Sequence, residues 1–254
     1  MLPTAPETVE IRRLEGGGLA GSESQFGAMF ATLAPVRREG FPFIAIALVV
    51  ALAGGWFWQP IFWVGLIAAG WCAYFFRDPV RATPLDDAVA VSPADGRVAR
   101  VVLTVPPGEL GLGGEARRRI SIFMSIFDCH VNRAPLKGSV RDIVYRPGKF
   151  VNAALDKASE ANERNALVLD TAHGPIAVVQ IAGLIARRIA CFAKRGDTLS
   201  AGERIGLIRF GSRLDVYLPA GVAVAVAEGQ TAIAGETVIA RFGVAAADLQ
   251  VSRG

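Results

Sequence analysis

Gly206-Leu-Ile-Arg-Phe-Gly-Ser-Arg-Leu-Asp-Val-Tyr-Leu-Pro219 sits across two short strand-like runs, Arg204 to Arg209 and Arg213 to Leu218, parted by a Gly-Ser pair. Aliphatic and aromatic residues suit a pleated, half-buried surface, and glycine gives the backbone freedom for the break. The same texture fills the chain from residue 85 onward. Ala88 to Val91, Gly96 to Val105, Ile120 to Ser125, Gly138 to Tyr145, Ala166 to Asp170, Ile176 to Ile181, Arg188 to Phe192 and Ala223 to Ala227 are short runs separated by Gly, Pro and Asp. Many short strands with frequent turns predict a mainly β (α+β) domain, sandwich-like or barrel-like, over residues 81–254. Asn152 to Ala161 reads as a helix inside it.

Upstream the texture differs. Between Glu39 and Arg77 there is no charged residue. That is too long for one untilted helical span and just enough for two. Gly54-Gly55 and Gln59-Pro60 supply the break, so residues 35–80 read as a helical membrane hairpin, with Trp56 and Trp58 at the far interface and Trp71 and Tyr74 near the other. Arg37 and Arg38 flank one side and Arg77 and Arg81 the other, which predicts both ends, and the β domain, on the cytoplasmic face of the cell membrane. A buried helical pair in a soluble core and a hairpin that dips into one leaflet are the competing readings. Residues 1–34, with Gly16-Gly-Gly18 and scattered charge, read as a mobile tail with one short helix near Phe26 to Leu33.

Composition agrees with a membrane segment: 52% hydrophobic residues and a mean hydropathy of +0.39 are high for a soluble domain. The net charge of +4 and pI near 9.2 suit an anionic lipid surface. Neither a basic stripe nor interleaved aromatics is present, which argues against a nucleic-acid partner. Cys72, Cys129 and Cys191 are odd in number and far apart, so no disulfide framework is expected. No metal-ligand spacing appears, and only His130 and His173 are available as imidazoles.

The Gly211-Ser212 pair has chemistry of its own. A serine hydroxyl held in a strained turn can attack the preceding carbonyl, exchanging the amide for an ester. β-Elimination of that ester leaves dehydroalanine, which hydrolyses to a pyruvoyl group with loss of ammonia. Gly21-Ser22 and Gly138-Ser139 offer the same pair, so the pair alone selects nothing.

Its surroundings select the third. Phe76-Arg-Asp-Pro79, Ser92-Pro-Ala-Asp-Gly-Arg-Val98, Phe123-Met-Ser-Ile-Phe-Asp-Cys-His-Val-Asn-Arg-Ala-Pro135, Asn162-Glu-Arg-Asn165, Gln180-Ile-Ala-Gly183 with Ala186-Arg-Arg-Ile189, and Phe210-Gly-Ser-Arg-Leu-Asp-Val-Tyr-Leu-Pro219 together resemble the short branch of the phosphatidylserine decarboxylase proenzymes. The resemblance covers about residues 35 to 240, in the family's order and spacing. It implies self-cleavage between Gly211 and Ser212 into a β chain (1–211) and an α chain (212–254) that stay associated, with a pyruvoyl cofactor derived from Ser212. It implies a phospholipid substrate at a membrane, and phosphatidylethanolamine as product. Homo-oligomers are compatible with it.

The resemblance also assigns roles. Asp95, by default a turn residue, matches the aspartate of a self-cleaving Asp-His-Ser set, and His130 matches the histidine linked to substrate protonation. The longer branch carries a second histidine three residues on, where this chain has Arg133. His130 then serves both steps, or cleavage relies on Asp95 and strain. Arg133, Arg164 and the pair Arg187-Arg188 are candidates for the substrate phosphate, Phe127 for an apolar wall that excludes water. His173 reads as a solvated hairpin tip, and Asp215 receives no role. Lys194–Gly206 and Val226–Thr237 look like the paired turns of lipoyl-type barrel-sandwich domains, or like two plain β-turns. They leave open a non-catalytic, membrane-tethered adaptor or carrier, although Lys194 is poorly placed as a carrier lysine. An archaetidylserine-type lipid is the alternative substrate.

Overall fold

A computed structural model describes residues 34–148, 162–183, 188–209 and 212–245. The expected N-terminal tail with its short helix, the helix at Asn152 to Ala161, and Phe210, Gly211 and Arg187 lie outside these residues.

The charge-free run forms two antiparallel helices, α1 (Phe41–Phe57) and α2 (Gln59–Phe75), preceded by a 3-10 turn at Arg38–Gly40. Pro42 and Pro60 sit in their first turns, where a missing N–H costs nothing. Trp58, in extended conformation, makes the reversal. Small residues let the helices close up: a Cβ on Gly65 would lie 2.7 Å from that of Ala51, and one on Gly54 2.4 Å from Ile61 Cγ2. Ile46, Val49, Leu52, Trp56, Phe57, Val64 and Ile67 face outward, uncovered. This is the reverse of a core helix pair, which would bury those side chains. Arg38–Phe57 is long and apolar enough to cross a membrane.

The root of the hairpin is tied to the β domain. The Arg37 amide donates to Phe76 O at 2.9 Å, the Asp78 amide donates to Pro35 O at 2.7 Å, and Val36 bridges to Arg77. Phe75 and Phe76 are fully buried against Cys129, Val131 and Leu207.

The β domain has the strands β1 (Val89–Val91), β2 (Gly96–Thr104), β3 (Arg117–Met124), β4 (Val131–Arg133), β5 (Gly138–Arg146), β6 (Arg164–Thr171), β7 (Gly174–Ala182), β8 (Ile189–Cys191), β9 (Thr198–Leu199), β10 (Arg204–Ile208), β11 (Ser212–Leu218), β12 (Ala223–Val224), β13 (Thr231–Ala232) and β14 (Val238–Arg241). All of the predicted runs form strands; β4, β9, β13 and β14 are additional. An eight-stranded antiparallel sheet runs β13-β2-β3-β11-β7-β6-β5-β9, a curled half-barrel, with three-stranded sheets β1-β14-β12 and β4-β10-β8 completing the domain.

These orders reveal an internal duplication. Exchanging β1, β2, β3, β11, β12, β13 and β14 for β4, β5, β6, β7, β8, β9 and β10 turns one small sheet into the other and reverses the large one onto itself. The irregularities match too: β2 slips register between Val98 and Arg100, β5 between Val140 and Asp142. The two lipoyl-like turns are equivalent, with φ of 90° and 77° at Gly196 and Gly202 and again at Gly229 and Gly235. Only glycine adopts this left-handed region freely. The second copy, β4 to β10, is inserted between β3 and β11 of the first, so the chain re-enters its first copy at Ser212. One apolar core, including Ile120, Ile122, Leu167, Leu169, Leu214 and Val216, lies inside the half-barrel.

Candidate active site

Ser212 is the first residue of β11, the strand that pairs with both β3 and β7. It stands opposite Met124 on one side and Ala182 on the other, and is fully buried. Alternation places it on the face of β11 that carries the core residues Leu214 and Val216. Its Oγ lies 3.9 Å from Met124 Sδ, its only hydrogen-bonding contact among the described residues. A thioether is a weak acceptor, so no described residue ties the hydroxyl to a strong one.

A chain of buried amides leads to the same sulfur. Asn165 Nδ2 donates to Gln180 Oε1 at 2.9 Å, Gln180 Nε2 donates to Asn132 Oδ1 at 2.8 Å, and Asn132 Nδ2 approaches Met124 Sδ at 3.6 Å. Gly206 makes room for it: a Cβ there would lie 2.7 Å from Gln180 Nε2. The Asn162-Glu-Arg-Asn165 motif thereby acquires a structural meaning. Asn162 Nδ2 donates to Ala182 O at 2.7 Å beside Ser212, Glu163 accepts from Tyr145 Oη at 3.2 Å and from the Ile189 amide at 3.4 Å, Arg164 pairs with Glu109 at 2.7 Å, and Asn165 starts the amide chain.

His130 comes to the same end of the fold by backbone pairing: its carbonyl accepts from the Ile208 amide at 3.3 Å, just upstream of Ser212. The imidazole is fully buried and packs on the Phe75 ring at a centroid distance of 4.2 Å. Nδ1–H donates to the Asp128 carbonyl at 2.9 Å, an acceptor that fixes the neutral tautomer. Nε2 therefore carries the lone pair, and it has no partner among the described residues. Burial drives the pKa down to about 4, opposed by the carbonyl and carboxylate of Asp128.

The structure does not join Asp95 to His130. One carboxylate oxygen accepts from Arg81 Nη2 at 2.6 Å and the other from the Ala234 amide at 2.7 Å. Asp95 is the charge partner of Arg81, and the Asp128 carbonyl orients the imidazole. Gly96 beside it has φ +144°, and a Cβ there would lie 2.2 Å from Phe123 O, so this turn presses directly on β3. Arg133 is buried and engaged with Asp78 Oδ1 at 3.1 Å, Pro79 O at 2.9 Å and Gly202 O at 2.9 Å. Arg164 is likewise held by Glu109. Arg188, in contrast, is exposed with no side-chain hydrogen bond among the described residues, and its carbonyl accepts from the Arg209 amide at 3.4 Å. Arg209, half-buried over the Phe43 ring at 5.3 Å, is a second guanidinium, two residues ahead of the Gly-Ser pair in sequence, that the sequence did not single out.

Phe127 does not wall a closed site. It is 61% exposed at the tip of the β3–β4 loop, its carbonyl accepting from Arg77 Nη2 at 3.1 Å beside the hairpin. His173 is not a freely solvated tip: its ring stacks on Phe242 at 4.1 Å and Nε2 contacts Asp87 O at 2.8 Å. Asp215 forms a bidentate pair with Arg213, at 2.9 and 3.0 Å, on the other face of β11.

A mostly β half-barrel buries Ser212 at the head of β11 and His130 where the end of β10 meets it, with imidazole Nε2 unpartnered among the described residues. The family model for phosphatidylserine decarboxylase matches residues 68–240, more than half of the chain. The chain belongs to the phosphatidylserine decarboxylase family, which makes it a decarboxylase of phospholipid metabolism. That membership sets aside the reading as a non-catalytic adaptor.

Proposed function

We propose that the chain is a self-processing, pyruvoyl-dependent enzyme of the short branch that converts phosphatidylserine to phosphatidylethanolamine at the cytoplasmic face of the cell membrane. The observation that carries this reading is Ser212: buried, next to Gly211 in sequence, at the head of a strand clamped on both sides, with a thioether as the one hydrogen-bonding contact of its hydroxyl among the described residues. Cleavage there forms a bond from Ser212 Oγ to the Gly211 carbonyl carbon and breaks the bond to the Ser212 nitrogen. His130 Nε2, neutral and unpartnered, is the base for the hydroxyl proton and later the group that returns a proton to the product. Arg133 stands in the second histidine position and is consumed by Asp78, so no second imidazole shares the work.

The surroundings of Ser212 fit a pyruvoyl group. Ser212 itself is fully buried, and the Asn132–Gln180–Asn165 amides spend their donors on one another and on Met124, leaving the serine hydroxyl outside the chain. When present, the group supplies the electron sink for loss of carbon dioxide. The residues around it bind and orient: Arg188 and Arg209, beside the junction, are the guanidiniums for the substrate phosphodiester.

Cleavage need not separate the chains. β11 stays zipped to β3 and β7, and β13 and β14 remain paired with β2 and β1, so the described residues of the smaller chain, 212–245, are held by the other copy and their own. Residues 35–80 act as the membrane hairpin and 81–254 as the catalytic domain. Arg37 and Arg38 before α1, with Arg77 and Arg81 after α2, support a cytoplasmic root under the positive-inside rule.

The test is carbon dioxide release from phosphatidylserine in mixed micelles, run beside archaetidylserine. Release by wild type, with none by Ser212→Ala, is the expected result. A wild-type chain that is cut and yet releases none from phosphatidylserine overturns the substrate assignment.

A further inference from the structure

A basic cleft opens at the root of the hairpin, away from Ser212. It has a volume of about 610 Å³, and Arg37, Arg38, Glu39, Asp78 and Arg204 line it. Asp78, 3% exposed, is shared by three guanidiniums: Arg204 Nε at 2.6 Å, Arg133 Nη2 at 3.1 Å and Arg37 Nη1 at 3.6 Å. Arg37 also reaches Glu39 at 3.4 Å. Two carboxylates thus face four arginines, counting Arg133 beneath and Arg38 at the rim, and positive charge is left over. Its location is specific. Arg38 is exposed without a side-chain partner among the described residues, and Arg204 meets Asp78 through Nε while 42% of its side chain stays open.

We infer that this cleft binds the phosphate of an anionic phospholipid in the surrounding leaflet, a second lipid site apart from the reacting one. Guanidinium forks with unused N–H donors match phosphate oxygens. The source is a lipid because of where the cleft sits: Arg37 and Arg38 lead directly into α1, and the Val36–Arg77 bridge closes the hairpin beside it, at headgroup depth if the hairpin is embedded. It is separate because Arg204 and Ile208 are opposite ends of β10, ~13 Å apart along a strand, and Ile208 is the end that meets His130. The inference rests on the membrane reading of the hairpin, not on the pyruvoyl chemistry.

Native mass spectrometry of the full chain in detergent tests it, with phosphatidylglycerol, phosphatidylcholine and inorganic phosphate as probes. The wild type is expected to retain one phosphatidylglycerol but no phosphatidylcholine, and Arg38→Gln plus Arg204→Gln to weaken retention about tenfold or more. Arg195→Gln, at an exposed ion pair elsewhere, is expected to change nothing. Arg38→Gln alone, at an exposed position, covers the case in which the double variant does not fold, and is expected to weaken retention in the same direction. Undiminished phosphatidylglycerol retention in a folded cleft variant overturns the site, and displacement of the lipid by millimolar phosphate overturns its assignment to a lipid. Neither cleavage nor turnover enters the readout, so failure here is distinguishable from failure of the proposed enzyme.

Discussion

Acid should weaken the uncleaved chain through one residue, His130. Its imidazole is fully buried, and burial lowers its pKa to about 4, against 6.5 for the free side chain. Between those two values the unfolded chain binds a proton that the folded chain refuses. The contribution of a neutral His130 is therefore complete above pH 6.5 and is lost as pH falls toward 4. A gap of about 2.5 pH units at about 1.4 kcal/mol each, not fully expressed at pH 4 where the folded imidazole is half-protonated, is about 3 kcal/mol across the window. For a domain of this size that corresponds to a drop of roughly 6–12 °C in Tm. The assay is thermal unfolding followed by near-UV circular dichroism in detergent from pH 7 to pH 4. Ser212→Ala protein, held as one chain, is compared with the same protein carrying His130→Phe, which keeps a ring against Phe75 but cannot titrate. Carboxylates distant from His130 titrate in both and cancel. The Tm gap between the two proteins should shift by the stated amount across the window. Parallel curves would show that the imidazole is solvated or paired, and would remove the basis for a bare Nε2 as the base.

Three further outcomes follow from the site. Gly206→Ala places a methyl 2.6 Å from Ala190 O and 2.7 Å from Gln180 Nε2, so it should cost about 1–3 kcal/mol and slow self-cleavage, read by denaturant unfolding and a gel time course. Asp215→Asn takes the bidentate carboxylate from buried Arg213 and should cost about 3–5 kcal/mol, with much of it recovered in Arg213→Met/Asp215→Leu; equal stability of the single variant and wild type would contradict the buried pair. Arg188→Gln should raise KM for phosphatidylserine about tenfold with kcat nearly unchanged, and Arg188→Lys should recover part of it; a fall in kcat alone would move Arg188 out of phosphate binding.

The hairpin and the strand-rich domain were legible because their signals are local: a charge-free run with a Gly/Pro break, and short apolar runs between turn residues. The duplication was not, although its traces stand in the sequence as Pro93-Ala-Asp-Gly96 beside Pro135-Leu-Lys-Gly138 and Arg209-Phe-Gly211 beside Arg241-Phe-Gly243. Strands need only stay apolar, so the copies drift apart everywhere except where backbone geometry demands Gly or Pro. Nesting one copy inside the other hides the period as well. β4, β9 and β13 are two or three residues long, too short for alternation to register. Ser212 and His130 were reached through motif and chemistry. The partners of Asp95 and Arg133 were not, because pairing across the fold depends on which strands meet, and neither Arg81 nor Asp78 announces itself. Asn132, Asn165 and Gln180 stood inside quoted motifs without a role until β6, β7 and β4 brought their amides together.

Intact mass spectrometry of the purified protein, wild type against Ser212→Ala, tests the central claim most directly. The account predicts two wild-type fragments parted after Gly211, the smaller one blocked at its N-terminus with the mass of a pyruvoyl in place of Ser212, and a single uncut chain for the variant. An uncut, correctly folded wild-type chain would contradict self-processing at this junction.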